Sequence, residues 1–458
     1  MNFNSLEFLL FLPLVCVVHW CLPHRMRWLW LLLTSWLFYF WWEPRAGLLL
    51  VGTTLVTWLC SLAIGYAAGR KIRRLWLSMA LVTTLGVLGI FKYAGFFASI
   101  LGRNLALRIL LPVGISFYTF QSLSYVLDVY RGRMQPERHF GYYALFVTFF
   151  PQLVAGPIER PENLLPQLRA ERTWDARNLA DGGWLLLSGY FKKVVIADGL
   201  APYVDRVYGA PQSATGAAVI LATVLFGLQI LCDFSGYTDI ARGSARLLGI
   251  DLMENFQKPY GAKTIREFWR RWHISLTSWF TDYVYIPLGG SRKGLVRQVF
   301  NVFVVFLLSG LWHGADWTFV VWGGIHGLYQ VFGLLLERFG TGKPHNGGMV
   351  DFLRRIRTFC LVSFAWLFFR AASLEDAWTL LSRIPQGWTA LSVSPVELIK
   401  VGLLILCMYL LERLPEGRKN FSQTTAALPV FYLIMSIAVG WLALLASGGQ
   451  NAFIYFQF

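Results

Sequence analysis

Apolar residues fill this chain in long runs, separated by short polar or Gly- and Pro-rich joints. A helix of about 20 apolar residues crosses the hydrocarbon core of a bilayer. By that measure the pattern predicts spans near 6–22, 27–43, 46–66, 75–97, 141–156, 216–233, 298–312, 315–337, 356–370, 396–412 and 427–447. The expected fold class is an all-α polytopic membrane protein with about eleven transmembrane helices. No internal repeat, low-complexity tract or long linker divides the chain, so residues 1–458 read as one membrane domain. The first run follows Met1-Asn2-Phe3-Asn4-Ser5 with neither a basic leader nor a small-residue cleavage site. It reads as a retained helix, not a signal peptide.

Two stretches break the pattern. The first, Leu111-Pro112-Val113-Gly114-Ile115-Ser116-Phe117-Tyr118 and on to Arg131, is apolar but interrupted by Pro and Gly and dotted with hydroxyls. Irregular backbone at membrane depth is tolerated only where it is buried in protein or lines a wet cavity. We therefore expect a re-entrant or cavity-lining element. The second, about 234–297, is polar and basic yet rich in Trp, Tyr and Phe, and is placed at the cytoplasmic interface. Within it, Thr264–Phe280 reads as one amphipathic helix, with Trp269, His273, Leu276 and Phe280 on one face and Glu267 paired to Arg271. Ile286–Gly294 reads as a turn-rich loop.

Composition agrees with the spans. Of 458 residues, 56% are hydrophobic and only 14% charged, against about 25% charged in soluble chains. The net charge of +16 would suggest nucleic acid in a soluble protein. Here no basic stripe accompanies a soluble recognition fold, and nucleic acid is excluded as a partner. Lys and Arg instead gather in cytoplasmic loops, where they meet anionic lipid; Arg70, Lys71, Arg73 and Arg74 mark one such loop. The six cysteines lie in or beside apolar runs and form no C-x-x-C pair, so neither a disulfide framework nor a zinc site is indicated.

An ionisable side chain at membrane depth is a functional hypothesis by default. His313 sits in Leu311-Trp312-His313-Gly314-Ala315-Asp316-Trp317, between two apolar runs. His273 ends Phe268-Trp269-Arg270-Arg271-Trp272-His273 on the apolar face of the polar segment. A near-neutral imidazole is the natural general base at pH 7. His326, in Gly323-Gly324-Ile325-His326-Gly327, either packs in the core or lines the same cavity. His19, His24, His139 and His345 sit near segment ends or in loops. In Asp233-Phe234-Ser235-Gly236-Tyr237-Thr238-Asp239, two acids stand at the end of an apolar run. They either cap a helix or fix the neighbouring histidines and basic helix. Arg270, Arg271 and the following loop face either lipid head groups or an anionic donor such as the phosphates of coenzyme A. No histidine and carboxylate spacing suits a metal, and there is no P-loop or G-x-S-x-G elbow.

The run Phe268-Trp269-Arg270-Arg271-Trp272-His273-Ile274-Ser275-Leu276-Thr277, followed by Leu311-Trp312-His313-Gly314-Ala315, resembles the membrane-bound O-acyltransferase family. The likeness is greatest to its bacterial, alginate-acetylating branch. Leu111–Tyr118, Val154-Ala155-Gly156-Pro157-Ile158, Asp233–Tyr237 and the terminal Phe453-Ile454-Tyr455-Phe456-Gln457-Phe458 carry it along most of the chain.

That resemblance implies helices around a central funnel or tunnel, with His313 as the principal catalytic residue and His273 as the second. It implies cytoplasmic acetyl-CoA as donor substrate, with no tightly bound cofactor. It also implies an extracytoplasmic polysaccharide acceptor and an SGNH-type partner protein that finishes the transfer. Trp312, Trp272, Arg270, Arg271, Asp239 and His326 are expected to support the site or hold the donor. The cytoplasmic (inner) membrane of a bacterium is the expected location. The segment Gly156-Pro157-Ile158-Glu159-Arg160-Pro161 departs from the alginate-type pattern, and similar chains acetylate peptidoglycan or cellulose. A transporter or flippase with a broken-helix site would instead show inverted repeats, and none is found.

Overall fold

A computed structural model describes residues 1–103, 111–339, 347–388, 393–413 and 453–454. The expected span at 427–447, His345 and the last four residues lie outside them. Among the described residues all regular structure is helical, apart from one isolated bridge between Phe256 and Trp272. Five helices among the described residues are long and apolar enough to cross a membrane: Pro44–Tyr66, Arg70–Ile100, Gly216–Leu247, Leu295–His313 and Trp317–Phe339. The remaining apolar elements are shorter, broken or more charged than the pattern of eleven requires. The run at 141–156 splits into Phe140–Thr148 and Phe150–Leu153.

The chain divides into two compact units that alternate along the sequence. The first holds Met1–Tyr190 and Tyr237–Glu254. Its helices Leu6–Cys21, His24–Phe40 and Phe150–Leu153 meet through Phe8, Phe11, Phe38 and Phe150, whose rings pack at 5.3–6.4 Å. Ser35 Oγ accepts the Phe150 N–H at 3.1 Å and so satisfies the backbone where that short helix starts. The stretch from Leu111 breaks only before Ile115; Ile115–Arg131 is one continuous helix, buried along most of its length. Gly114 precedes it with φ +76, and a Cβ there would strike the Leu153 carbonyl, so glycine is required. Arg70–Arg74 open a helix and do not form a loop: Arg70–Leu88 starts there, and Arg73 donates to the Tyr130 carbonyl at 2.7 Å.

The second unit holds Phe191–Gly236, the described residues from Asn255 to Arg413, and Phe453–Ile454. Its apolar core gathers Phe226, Phe268, Trp269, Trp272, Trp322, Trp366 and Phe369. Of the two readings of Asp233 and Asp239 the helix cap fails, because Gly216–Leu247 runs on through both. Each acid meets a cation: Asp233 pairs with Lys193 at 2.6 Å and Asp239 with Arg242 at 3.6 Å. Thr264–Phe280 is also not one helix. It forms Ile265–Arg271 and Ile274–Phe280, broken at Trp272–His273.

Candidate active site

His313 owes its place to a tight helical hairpin. Leu295–His313 and Trp317–Phe339 are joined by only Gly314-Ala315-Asp316, and Asp316 Oδ1 caps the second helix by accepting the Thr318 N–H at 2.9 Å. A Cβ on Gly310 would fall closer than 3.0 Å to the Phe319 carbonyl oxygen, and one on Gly323 equally close to that of Phe306. Small residues at facing positions let backbones approach in this way where no hydrophobic force drives membrane helices together. His313 is the last residue of its helix and is buried, 3% exposed.

His273 is placed by the helix break. Trp272 runs extended and bridges to Phe256, and Gln257 N–H donates to the Arg271 carbonyl at 3.0 Å. Asn255 then holds both first amides of the next helix. Its carbonyl accepts the Ile274 N–H at 3.0 Å and its Oδ1 the Ser275 N–H at 3.1 Å. Between these clamps His273 takes φ +44, a left-handed conformation that costs a non-glycine residue on the order of 1–3 kcal/mol. Such strain persists only where the surroundings over-determine it, and it concentrates at functional sites. His273 is fully buried, and burial pushes its imidazole down to about 3, so the ring is neutral across the physiological range.

The two imidazoles share one aromatic cluster. Their ring centroids lie 6.3 Å apart. A ring nitrogen sits about 1 Å from its centroid and hydrogen-bonds across about 2.9 Å, so both rings can reach a single oxygen placed between them. Trp312 touches both rings, at 5.8 Å from His273 and 5.0 Å from His313. Phe234 stands edge-on to His273 at 4.7 Å, while Trp322 and Phe369 stand edge-on to His313 at 5.0 and 5.4 Å. Two buried bases behind walls of this kind can take a proton from a hydroxyl in a water-poor space.

Of the remaining expected residues, two join this cluster. His326 is fully buried, and its Nδ1 accepts the Trp269 indole N–H at 3.2 Å. It reaches His313 only through Trp322, which contacts both. Trp272 stacks on Phe268 and packs against Trp366. Three residues do not join. Arg270 points into the open, and Arg271 is taken up by Glu267 in the expected i,i+4 pair. Asp239 belongs to the other unit, in its pair with Arg242.

The sequence reading missed several neighbours. Asn255 and Trp322 carry no signal of their own. Lys193 lies in a stretch without an apolar period, yet it is buried between Asp198 at 2.9 Å and Asp233 at 2.6 Å. Asp233 Oδ2 also accepts the Ile454 N–H at 3.0 Å, which fixes Phe453 against Phe234 and thereby backs His273. The Asp233-Phe234 step of the Asp233–Tyr237 motif is the one clue to it in the sequence.

An all-helical membrane chain with two buried histidines on tightly held backbones fits one class of enzyme. Residues 137–341 match the family model for MBOAT, the membrane-bound O-acyltransferase family. The chain belongs to that family and is an acyltransferase. It is 39% identical over 427 residues to the "Probable alginate O-acetylase AlgI" of Pseudomonas aeruginosa, covering 90% of this chain and 81% of that protein. With the protein of the same name from Pseudomonas putida it shares 35% over the full length of both. The peptidoglycan O-acetyltransferase of Helicobacter pylori is 32% identical over 94% of this chain and 91% of its own.

Proposed function

We propose that this protein is a multi-pass enzyme of the bacterial inner membrane that passes acetyl groups from cytoplasmic acetyl-CoA, through a funnel or tunnel, for O-acetylation of an extracytoplasmic polysaccharide. The observation that carries the proposal is the His273–His313 pair, 6.3 Å apart in one buried aromatic cluster, in a chain whose relatives are named as O-acetylating enzymes. A thioester is already activated, so the protein's task is to position the reactants and deprotonate a hydroxyl. His313 takes the proton of the acceptor hydroxyl as its oxygen attacks the acetyl carbonyl. The tetrahedral intermediate then expels the thiolate, which recovers the proton from His313. His273, held neutral by burial, orients the attacking oxygen from the other side.

The acceptor is an alginate-type exopolysaccharide, reached through an SGNH-type partner outside the membrane. The relative from Helicobacter pylori favours peptidoglycan as the second reading. The interleaved order of the two units supports treating residues 1–458 as one catalytic domain, with the segment at about 234–297 supplying His273. The test uses purified full-length protein in proteoliposomes with radiolabelled acetyl-CoA, with and without the partner. Turnover that His313→Ala abolishes, with alginate labelled in preference to peptidoglycan, is the expected result. No release of coenzyme A by the wild type refutes the donor assignment.

A further inference from the structure

Hydrogen-bond bookkeeping around His313 leaves an excess of donors. In its ring cluster the indole N–H of Trp269 is accepted by His326 Nδ1 at 3.2 Å, and that of Trp366 by the Tyr260 hydroxyl at 3.1 Å. Because Nδ1 of neutral His326 is an acceptor, its Nε2 carries the hydrogen. That Nε2 and the Nε1 of Trp322 are both buried and have no acceptor among the described residues. Buried N–H groups are almost always satisfied, by protein, water or ligand, so two orphaned donors in adjoining rings are placed to receive an oxygen. Of these two donors, Trp322 is the one whose ring contacts His313, at 5.0 Å and nearly perpendicular. Its plane is fixed by stacking on Trp366 at 5.7 Å and by the edges of Phe369 and His326. Its N–H direction is therefore fixed before any ligand arrives.

We propose that Trp322 is a catalytic residue whose indole N–H holds the acyl carbonyl oxygen beside His313. This rests on the acyl-transfer reading above. As the acceptor oxygen forms its bond to the carbonyl carbon, the carbonyl π pair moves onto the oxygen facing Trp322. His313 holds the hydroxyl proton meanwhile. When the pair returns, the carbon–sulfur bond of the thioester breaks and the thiolate leaves with that proton. A fixed donor in a dry site strengthens as the charge develops and lowers the barrier without tightening ground-state binding.

The test is coenzyme A release by full-length protein in proteoliposomes, comparing wild type, Trp322→Phe and a variant with 3-benzothienylalanine in place of Trp322, which keeps the bicyclic shape and lacks only the N–H. Loss of one such donor lowers kcat by about 10²–10³-fold, with KM for acetyl-CoA changed little and with wild-type thermal stability in the isosteric variant. A merely structural role moves stability in Trp322→Phe and leaves kcat of the isosteric variant intact. A kcat within threefold of wild type for the isosteric variant overturns the proposal and leaves the acetylation reading standing. Absence of wild-type turnover overturns both.

Discussion

Substituting alanine at Gly323 should separate two helices and misplace His313. A Cβ at Gly323 would lie closer than 3.0 Å to the Phe306 carbonyl oxygen, which is backbone and cannot rotate away. Ordinary contact begins at 3.4 Å, so the helices must part by about 1 Å, and close-packed interiors resist such shifts. Overpacking of this kind costs about 1–3 kcal/mol. His313 lies on the partner helix, two turns beyond Phe306 and just past Gly310, which faces Gly323. A displacement of that size at a reacting group costs on the order of 100-fold in rate. The neighbouring Gly324→Ala is the control, because its Cβ would meet only Leu307 Cδ2 at 3.9 Å. Purified variants are compared for thermal unfolding and for acyl transfer at saturating donor. Gly324→Ala should match wild type in both, while Gly323→Ala loses a few degrees and about two orders of magnitude in kcat. Equal activity of the two variants refutes the argument that close backbone approach positions His313.

Lys193→Met should destabilise the protein by about 3–5 kcal/mol, because it strands the buried Asp233 and the half-buried Asp198 without their cation. The double variant with Asp233→Asn should recover part of that loss in a thermal melt, and equal destabilisation of single and double variants contradicts the pairing. Glu159 is buried, and desolvation pushes its carboxyl up to about 7 although it accepts the Met253 N–H. The folded state therefore holds the proton more tightly than the unfolded one, so stability from this group is full below about 4.5 and falls as pH rises through 7, by roughly 3 kcal/mol at most. Melting temperature against pH should flatten in Glu159→Gln, and an unchanged slope counts against it. At His273, Asn adopts the left-handed conformation far more readily than a β-branched residue. His273→Asn should keep wild-type stability and lose about 10²–10⁴-fold in turnover, while His273→Val should also lose stability; identical melts for the two contradict the backbone reading.

How much of this could be read from the sequence depends on where each constraint comes from. His313 was legible because its cause is local. Gly310, Gly314 and Gly323 stand within a few residues of it, and a short joint between two apolar runs already implies a hairpin. The sequence left Asp233 and Asp239 open between a helix cap and a fixing role because a charged residue normally stops an apolar run. Each acid has a cation within 3.6 Å, so the helix continues through both. Lys193 lies forty residues from Asp233, and no period links them.

His273 shows the same limit most clearly. Trp269, His273, Leu276 and Phe280 fit a helical period, and side-chain spacing reports only which residues face one way. It does not report which backbone groups are hydrogen-bonded. Asn255 and Gln257 take over the amides and carbonyl on either side of His273, and that pairing, not the side-chain pattern, breaks the helix. The break turns the imidazole toward Trp312 and His313. A candidate site residue positioned by remote backbone pairing therefore leaves its identity in the local sequence but not its geometry. For this chain the motif names His273, and Asn255 determines where it points.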